Sequence, residues 1–311
     1  MIRKHTRRAA KAAFAISLAV AIVIGLYAAA FTRPAHANTT AKPTIVIGTK
    51  NFAEEFILGQ LYKQALEAKG FKVAYKENIG ATEIVHPALT SGKINFYPEY
   101  TGVVVQVVNH RTSSPSTAAA TYRLAKALEA KKGITALKPT PFNDTDALAV
   151  TNATARKYGL KSVGDLAKVG SFKLGGPPTC KTRTTCFLGY TKRYGITKAS
   201  FVPLGIGLSY TALDKGQVLA ADVFTTDPPL AKPSKYKVLA DPKHVTGFQN
   251  VTPLVKTSVV TAAGPTFTKT VNAVSAKLTT PAIAAMNKAF YVDKQSAKSI
   301  AQKFLKANGL A

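Results

Sequence analysis

Two short stretches hold the side chains best suited to chemistry. Ile45-Val46-Ile47-Gly48-Thr49-Lys50-Asn51-Phe52-Ala53-Glu54-Glu55 and, further on, Ile94-Asn95-Phe96-Tyr97-Pro98-Glu99-Tyr100-Thr101-Gly102 each pass from an apolar strand into polar and aromatic residues. In an open α/β sheet ligands sit at the carboxyl ends of strands, so the two read as walls of one small-molecule site. Binding fits them better than catalysis. There is no Gly-x-Ser-x-Gly, no His-Glu-x-x-His and no close Cys/His pair, and His86, His110 and His244 stand alone, as surface or internally satisfied residues do. No cofactor or metal is called for.

The chain's compartment follows from its start. Arg3, Lys4, Arg7, Arg8 and Lys11 precede an uncharged apolar run from Phe14 to Phe31, and Pro34-Ala35-His36-Ala37 then fits a small-x-small cleavage site. Residues 1–37 are therefore expected to be an export signal peptide or, because the run approaches bilayer-spanning length, a retained N-terminal anchor. No cysteine near the cleavage region offers a lipid attachment point. In an exported chain Cys180 and Cys186, with five residues between them, read as a local disulfide. A metal site would want two more soft ligands, and no histidine lies within fifty residues of the pair.

Composition is globular, with 46% apolar and 18% charged residues in 311. The formal charge is +27; the first 37 residues hold six Lys/Arg and no Asp/Glu, so the remainder still carries +21. These cations are scattered singly, which suits a solvated basic surface near an anionic cell wall and gives no nucleic-acid footprint. A basic cell-wall-associated binding protein for a different small cationic ligand is the alternative this charge keeps open, and a wall-adhesion protein without a pocket is a third class.

The elements that must position the two stretches are legible in the periodicity. Strand Thr44–Ile47 leads to a helix with an Asn51/Glu54 capping-box pattern and apolar residues down to Leu66, stopped by Gly70. Strand Phe71–Tyr75, a helix opened by Gly80, Ala81 and Thr82 and ended by Gly92, and strand Ile94–Tyr97 complete a βαβαβ series, which implies a parallel sheet. A helix is expected over Ala118–Lys132. The character of the chain changes at Phe142-Asn143-Asp144-Thr145-Asp146, where a crossing into a second domain is placed, with a return near Phe248 to Val255. Ser162–Val169, Phe172–Gly175 and a helix through Gly189–Tyr194 follow the first crossing. From Pro265 onward the sequence is helical and should pack back on the first domain.

Together the motifs carry a resemblance. Gly48-Thr49-Lys50-Asn51-Phe52-x-Glu54-Glu55-x-Ile57-Leu58-Gly59, then Ala88-Leu89-x-x-Gly92-x-Ile94-x-x-Tyr97-Pro98-Glu99-Tyr100-Thr101-Gly102, then Asn143-Asp144-Thr145-x-Ala147-Leu148-Ala149-Val150 resemble the substrate-binding proteins of ABC importers for glycine betaine, carnitine, choline and related osmoprotectants. Leu174-Gly175-Gly176-Pro177, Phe224-Thr225-Thr226-Asp227 and strand Val251–Val255 extend the match, which runs from Thr44 to the C-terminus. The resemblance implies an α/β, two-domain hinged periplasmic-binding-protein fold of type II. Its sheets would be mixed but mostly parallel, and its ligand would sit in the interdomain cleft. Residues 38–145 plus 251–311 would form domain I and 146–250 domain II. It also implies an extracytoplasmic, non-enzymatic receptor acting as a monomer, with a small quaternary amine or zwitterion as ligand and the membrane permease of an ABC transporter as partner.

A quaternary ammonium donates no hydrogen bonds, so aromatic faces hold it, with a carboxylate as counter-charge, and a betaine's carboxylate wants an arginine fork. Carried over by position, the resemblance places Tyr100 in the aromatic box, Phe224 and Phe248 where relatives often have tyrosine, and Arg183, between the two cysteines, at the ligand carboxylate. Asp146 stands where a box tyrosine is usual and Val103 where a threonine is, so the ligand is either paired directly with a carboxylate or not a trimethylammonium compound. Asn51, Glu55 and Asp144 are further polar candidates; helix capping for Asn51 and a turn or hinge bond for Asp144 are equally open.

Overall fold

The computed structural model describes residues 42–231 and 234–311, and the export-signal reading of residues 1–37 falls outside them. Among the described residues no helix is long and apolar enough to cross a membrane. Two five-stranded sheets carry the architecture. The first has the order β2-β1-β3-β10-β4, from β1 (Ile45–Lys50), β2 (Val73–Gly80), β3 (Phe96–Tyr100), β4 (Ile134–Ala136) and β10 (Val251–Lys256). The second has the order β7-β6-β8-β5-β9, from β5 (Asp146–Thr151), β6 (Phe172–Gly176), β7 (Ala199–Pro203), β8 (Ala220–Phe224) and β9 (Tyr236–Val238).

Each sheet is parallel except around one strand. β1 pairs parallel with β2 and β3, and β6 with β7 and β8, whereas β10 and β5 run antiparallel to their neighbours. The exceptions are the two strands that begin where the chain crosses from one sheet to the other. A strand starting beside the carboxyl ends of the parallel strands can only run away from them. The crossing segments also pair with each other, through an antiparallel bridge between Asn143 and Asn250 and a bond from Asp144 N–H to the Gln249 carbonyl at 3.2 Å.

The apolar helix faces account for the layers. α1 (Ala53–Glu67) buries Ile57, Leu58, Leu61, Tyr62, Ala65 and Leu66 against one face of the first sheet. α2 (Thr82–Thr90) and α3 (Ala118–Ala130) supply Val85, Leu89 and Ala125 to the other face. In the second sheet α4 (Asn152–Tyr158) and α5 (Phe187–Tyr194) cover one face and α6 (Ser209–Asp214) the other. The C-terminal helices α7 (Thr257–Lys277), α8 (Thr280–Tyr291) and α9 (Ala297–Ala307) return to the first sheet's core through Phe267, Val271, Ile283 and Leu305.

Several boundaries differ from the sequence expectation, β1 among them, which runs on from the expected Ile47 to Lys50. The chain is helical from Thr257, two turns before Pro265; a break at Gly264 (φ 76°, ψ −174°) separates the turns, and Pro265 starts the second segment, a position where its missing N–H has no helical partner to lose. β3 runs to Tyr100 because Pro98 lies opposite Pro253 of β10, so the proline that should weaken a strand faces another that also lacks a donor. β2 begins at Val73 and continues to Gly80, past the expected end at Tyr75, and thereby carries the chain to the start of α2.

Phe267 ties α7 to this core: it is fully buried and makes edge contacts with Phe71 (5.8 Å) and Phe96 (6.3 Å). Phe267→Ala is expected to cost roughly 3–5 kcal/mol, read as a lower denaturant midpoint at unchanged m-value.

Candidate functional site

The carboxyl ends of β1 and β3 bring a cation under an aromatic ring. Lys50, the last residue of β1, is 4% exposed, and its Nζ lies 2.5 Å from Glu99 Oε1 and 3.6 Å from Glu55 Oε1. The same ammonium sits 4.1 Å from the Tyr100 ring centroid and 5.5 Å from that of Phe52. Burying a charge is costly unless it is paired, and here two carboxylates and a ring face compensate it. Glu55 also accepts the Lys50 N–H at 3.2 Å.

Glu54 forms the floor. It is 2% exposed and accepts from Tyr100 Oη (2.6 Å), Thr226 Oγ1 (2.9 Å) and Asn287 Nδ2 (2.9 Å), residues from β3, the turn after β8, and α8. Burial raises its pKa, and the hydrogen bonds only partly offset that. The Asn51/Glu54 capping box is therefore not formed. The helix starts one residue late, after an extended Phe52 (φ −148°, ψ 160°) with no side-chain cap, so Asn51 lies outside the turn it was to cap.

Above this floor is a cavity of about 370 Å³ walled by both sheets. Phe52 stacks on Phe224 of β8 at 5.7 Å and on Tyr100 at 6.4 Å, giving one wall three rings. Opposite are Pro177, Thr179 and the Cys180–Cys186 disulfide, which is formed with an S–S length of 2.04 Å. Asp222 brings a carboxylate oxygen within 4.8 Å of both sulfurs, but disulfide sulfurs offer no thiolate to a metal. Arg183, inside the disulfide loop, reaches across to Glu83 of α2 with a two-pronged pair, Nε to Oε1 at 3.0 Å and Nη2 to Oε2 at 2.9 Å. Burial works to raise the Glu83 pKa, and the bonds from Arg183 outweigh it and hold the carboxyl below its usual range.

Seven of the residues singled out from sequence as ligand-site positions line this cavity: Asn51, Tyr100, Val103, Asp144, Asp146, Arg183 and Phe224. Asp144 also accepts from Thr225 Oγ1 (3.1 Å) and Thr226 N (3.0 Å), so it joins the crossing segment to the turn after β8 as well as facing the cavity. Glu55 lies beneath Lys50, behind the wall. Phe248 is absent from the lining: its ring stacks on His244 at 6.3 Å and its carbonyl accepts from Thr101, while Gln249 takes the place at the wall, fixed to Val103 N (3.0 Å) and the Thr246 carbonyl (2.6 Å). Lys50 and Phe52 belong to the first stretch read as a wall without being singled out for contact, and sequence reasoning did not assign Gln249 or Asp222 to the site. For Asp222 a signal existed, since a carboxylate in the middle of Ala220-Ala221-Asp222-Val223-Phe224 contradicts an otherwise apolar strand.

The charge around the cavity is opposite to that of the chain. Asp144, Asp146 and Asp222 line it, and Glu54, Glu55, Glu83, Glu99 and Asp227 are bonded to or touch residues that do. Eight of the chain's 15 acidic residues are thus gathered here, against Lys50 and Arg183 as the basic residues of the lining, although the chain has 42 of them. Such a cleft focuses a negative potential inside a basic protein.

This α/β architecture, two mixed sheets with a ligand-sized cleft at the carboxyl ends of their parallel strands, is that of the type II periplasmic binding proteins. The chain belongs to the family described as "Substrate binding domain of ABC-type glycine betaine transport system", whose model matches residues 43–307. It is 32% identical over 279 residues, 86% of this chain and 88% of the relative, to the glycine-betaine-binding protein of Pseudomonas aeruginosa. Among solved structures it is similar to apo YehZ of Escherichia coli (27% identity, TM-score 0.62, 86% of this chain and 99% of that one). It also matches a structure titled glycine betaine/carnitine/choline ABC transporter (24% identity, TM-score 0.69, 86% and 99%).

Burial pushes the Glu55 carboxyl up to about 8, with Lys50 only partly opposing it. A carboxyl whose pKa is higher folded than unfolded contributes stability that is complete below its usual value of 4.5 and lost as pH rises toward 8. The melting temperature should therefore fall between about pH 5 and pH 8, and Glu55→Gln should flatten that slope. Thermal melts across the range check it; parallel slopes would show that Glu55 does not titrate there.

Proposed function

We propose that this protein is an extracytoplasmic solute receptor. It captures a small quaternary-ammonium or zwitterionic osmolyte of the glycine betaine/choline type and delivers it to the membrane permease of an ABC importer. The observation that carries this reading is the wall of three stacked rings, Phe52, Tyr100 and Phe224, facing Asp144 and Asp146 across one cavity. Ring faces attract a cation that donates no hydrogen bond, and carboxylates supply its counter-charge. The name of the Pseudomonas relative supports the same ligand class. Binding without catalysis is what the family description, a substrate binding domain, supports.

Capture is proposed to involve hinge closure about the crossings at 142–146 and 248–251, with residues 38–145 plus 251–311 as domain I and 146–250 as domain II. Two features favour this. β5 and β10, the strands that follow the crossings, belong to different sheets, and the cavity lies between those sheets rather than inside either. Arg183 is the group for a ligand carboxylate, which would exchange places with Glu83 at the guanidinium.

Calorimetric titration of the purified protein with glycine betaine, choline and carnitine tests the reading, and saturable heat with at least one of them is expected. Phe224→Ala removes a half-buried ring from the cavity wall and should weaken binding by at least about tenfold with little change in melting temperature. An unchanged affinity would take Phe224 out of the site, and no heat from any of the three would overturn the receptor function proposed here.

A further inference from the structure

The two basic residues of the cavity lining differ in the kind of carboxylate that holds them. Lys50 is paired with Glu99 and lies 3.6 Å from Glu55, and both of those acidic side chains are fully buried. Neither can leave without stranding an unpaired charge in the core. The partner of Arg183 is of another kind. Glu83 stands in the first turn of α2, outside the cavity lining, and its side chain is 45% exposed. A carboxylate released there returns to water and stays beside a helix N-terminus, where negative charge is favoured. Of the two basic groups facing the cavity, only Arg183 therefore has a partner that a ligand can displace.

The geometry of the pair is the one a ligand carboxylate would adopt. Nε to Oε1 at 3.0 Å and Nη2 to Oε2 at 2.9 Å form the parallel two-pronged contact by which a guanidinium recognises a carboxylate. Arg183 is the fixed member. It is 18% exposed, lines the cavity, and is carried by a loop closed by the buried Cys180–Cys186 disulfide. Glu83 thus presents to Arg183 what the carboxylate of a zwitterion would present.

We propose that Glu83 is a specificity-determining residue: it stands in for a ligand carboxylate at Arg183 and lowers the affinity of the cleft for zwitterions relative to cations. The inference rests on the cleft being the ligand site, with Arg183 as its group for a carboxylate. A zwitterion entering the cleft exchanges one charge-assisted pair for another, so its carboxylate adds little net binding. A cation without a carboxylate leaves the Glu83–Arg183 pair standing and forfeits nothing. The balance between the two ligand classes is set by a residue outside the lining.

The experiment is a calorimetric comparison of glycine betaine with its amide, which keeps the trimethylammonium group and the size and lacks the carboxylate charge. Glu83→Gln is expected to tighten glycine betaine about tenfold, the equivalent of one charge-assisted hydrogen bond, and to leave the amide within about threefold of wild type. In an Arg183→Met background the same substitution should no longer move the ratio of the two affinities. An equal change for both ligands, as a simple strap across the cleft would give, overturns the inference, and so does an unmoved ratio; both leave the receptor function standing. Failure of wild type to bind either ligand overturns it as well, and titrations with choline and carnitine then show whether the receptor function falls with it.

Discussion

Glu54 is the residue on which the site's construction depends. One buried carboxylate accepts from the first sheet through Tyr100, from the second sheet's turn through Thr226 and from the C-terminal helices through Asn287. No donor reaches it from its own helix face, so its burial is tolerable only when all three parts of the chain are in place. The Tyr100 ring is thereby clamped at its hydroxyl end, and its face is left to Lys50 and the cavity. Thr226 passes the constraint on to Asp144 through its backbone N–H, so floor and crossing segment are fixed together.

The distribution of charge follows from the same economy of partners. Among the acidic residues that the chain concentrates around the cavity, Asp144, Asp146 and Asp222 have raised pKa values, chiefly because they are buried. The basic residues of the lining are already paired, while at Asp222 an acceptor is left over. Outside, the scattered lysines and arginines give the protein the opposite sign, which concentrates it near polyanions without blocking the cleft.

Much of the fold was legible because it was written in local periodicity. The helical spacing of Phe56, Ile57, Leu61, Ala65 and Leu66 and the glycine at 70 specify α1 within a few residues. The pairing of Pro98 with Pro253 was not legible, since it depends on a strand more than 150 residues away, and so the end of β3 was placed too early. Around the cavity, Tyr100, Asp144, Asp146, Arg183 and Phe224 come together from separate motifs. The misplacements have a common physical cause. Asn51 has the right residue type for a cap, but the extended Phe52 moves the helix start past it. Phe248 has the right type for an aromatic wall, but it turns to His244 and the adjacent Gln249 enters instead. Residue type is local information; which of two neighbours faces a cavity is decided by backbone direction, and that is set by distant partners.

The Glu83–Arg183 pair has a consequence beyond ligand competition. It links α2, which packs on the first sheet, to the disulfide loop beside the second, and the Glu83 side chain is 45% exposed. The Arg183 side chain is only 18% exposed, and its two prongs, 3.0 and 2.9 Å long, are no longer than the Debye length of about 3 Å at 1 M salt, so the pair is screened far less than a surface pair would be. The contact between α2 and the disulfide loop therefore holds over a wide range of ionic strength.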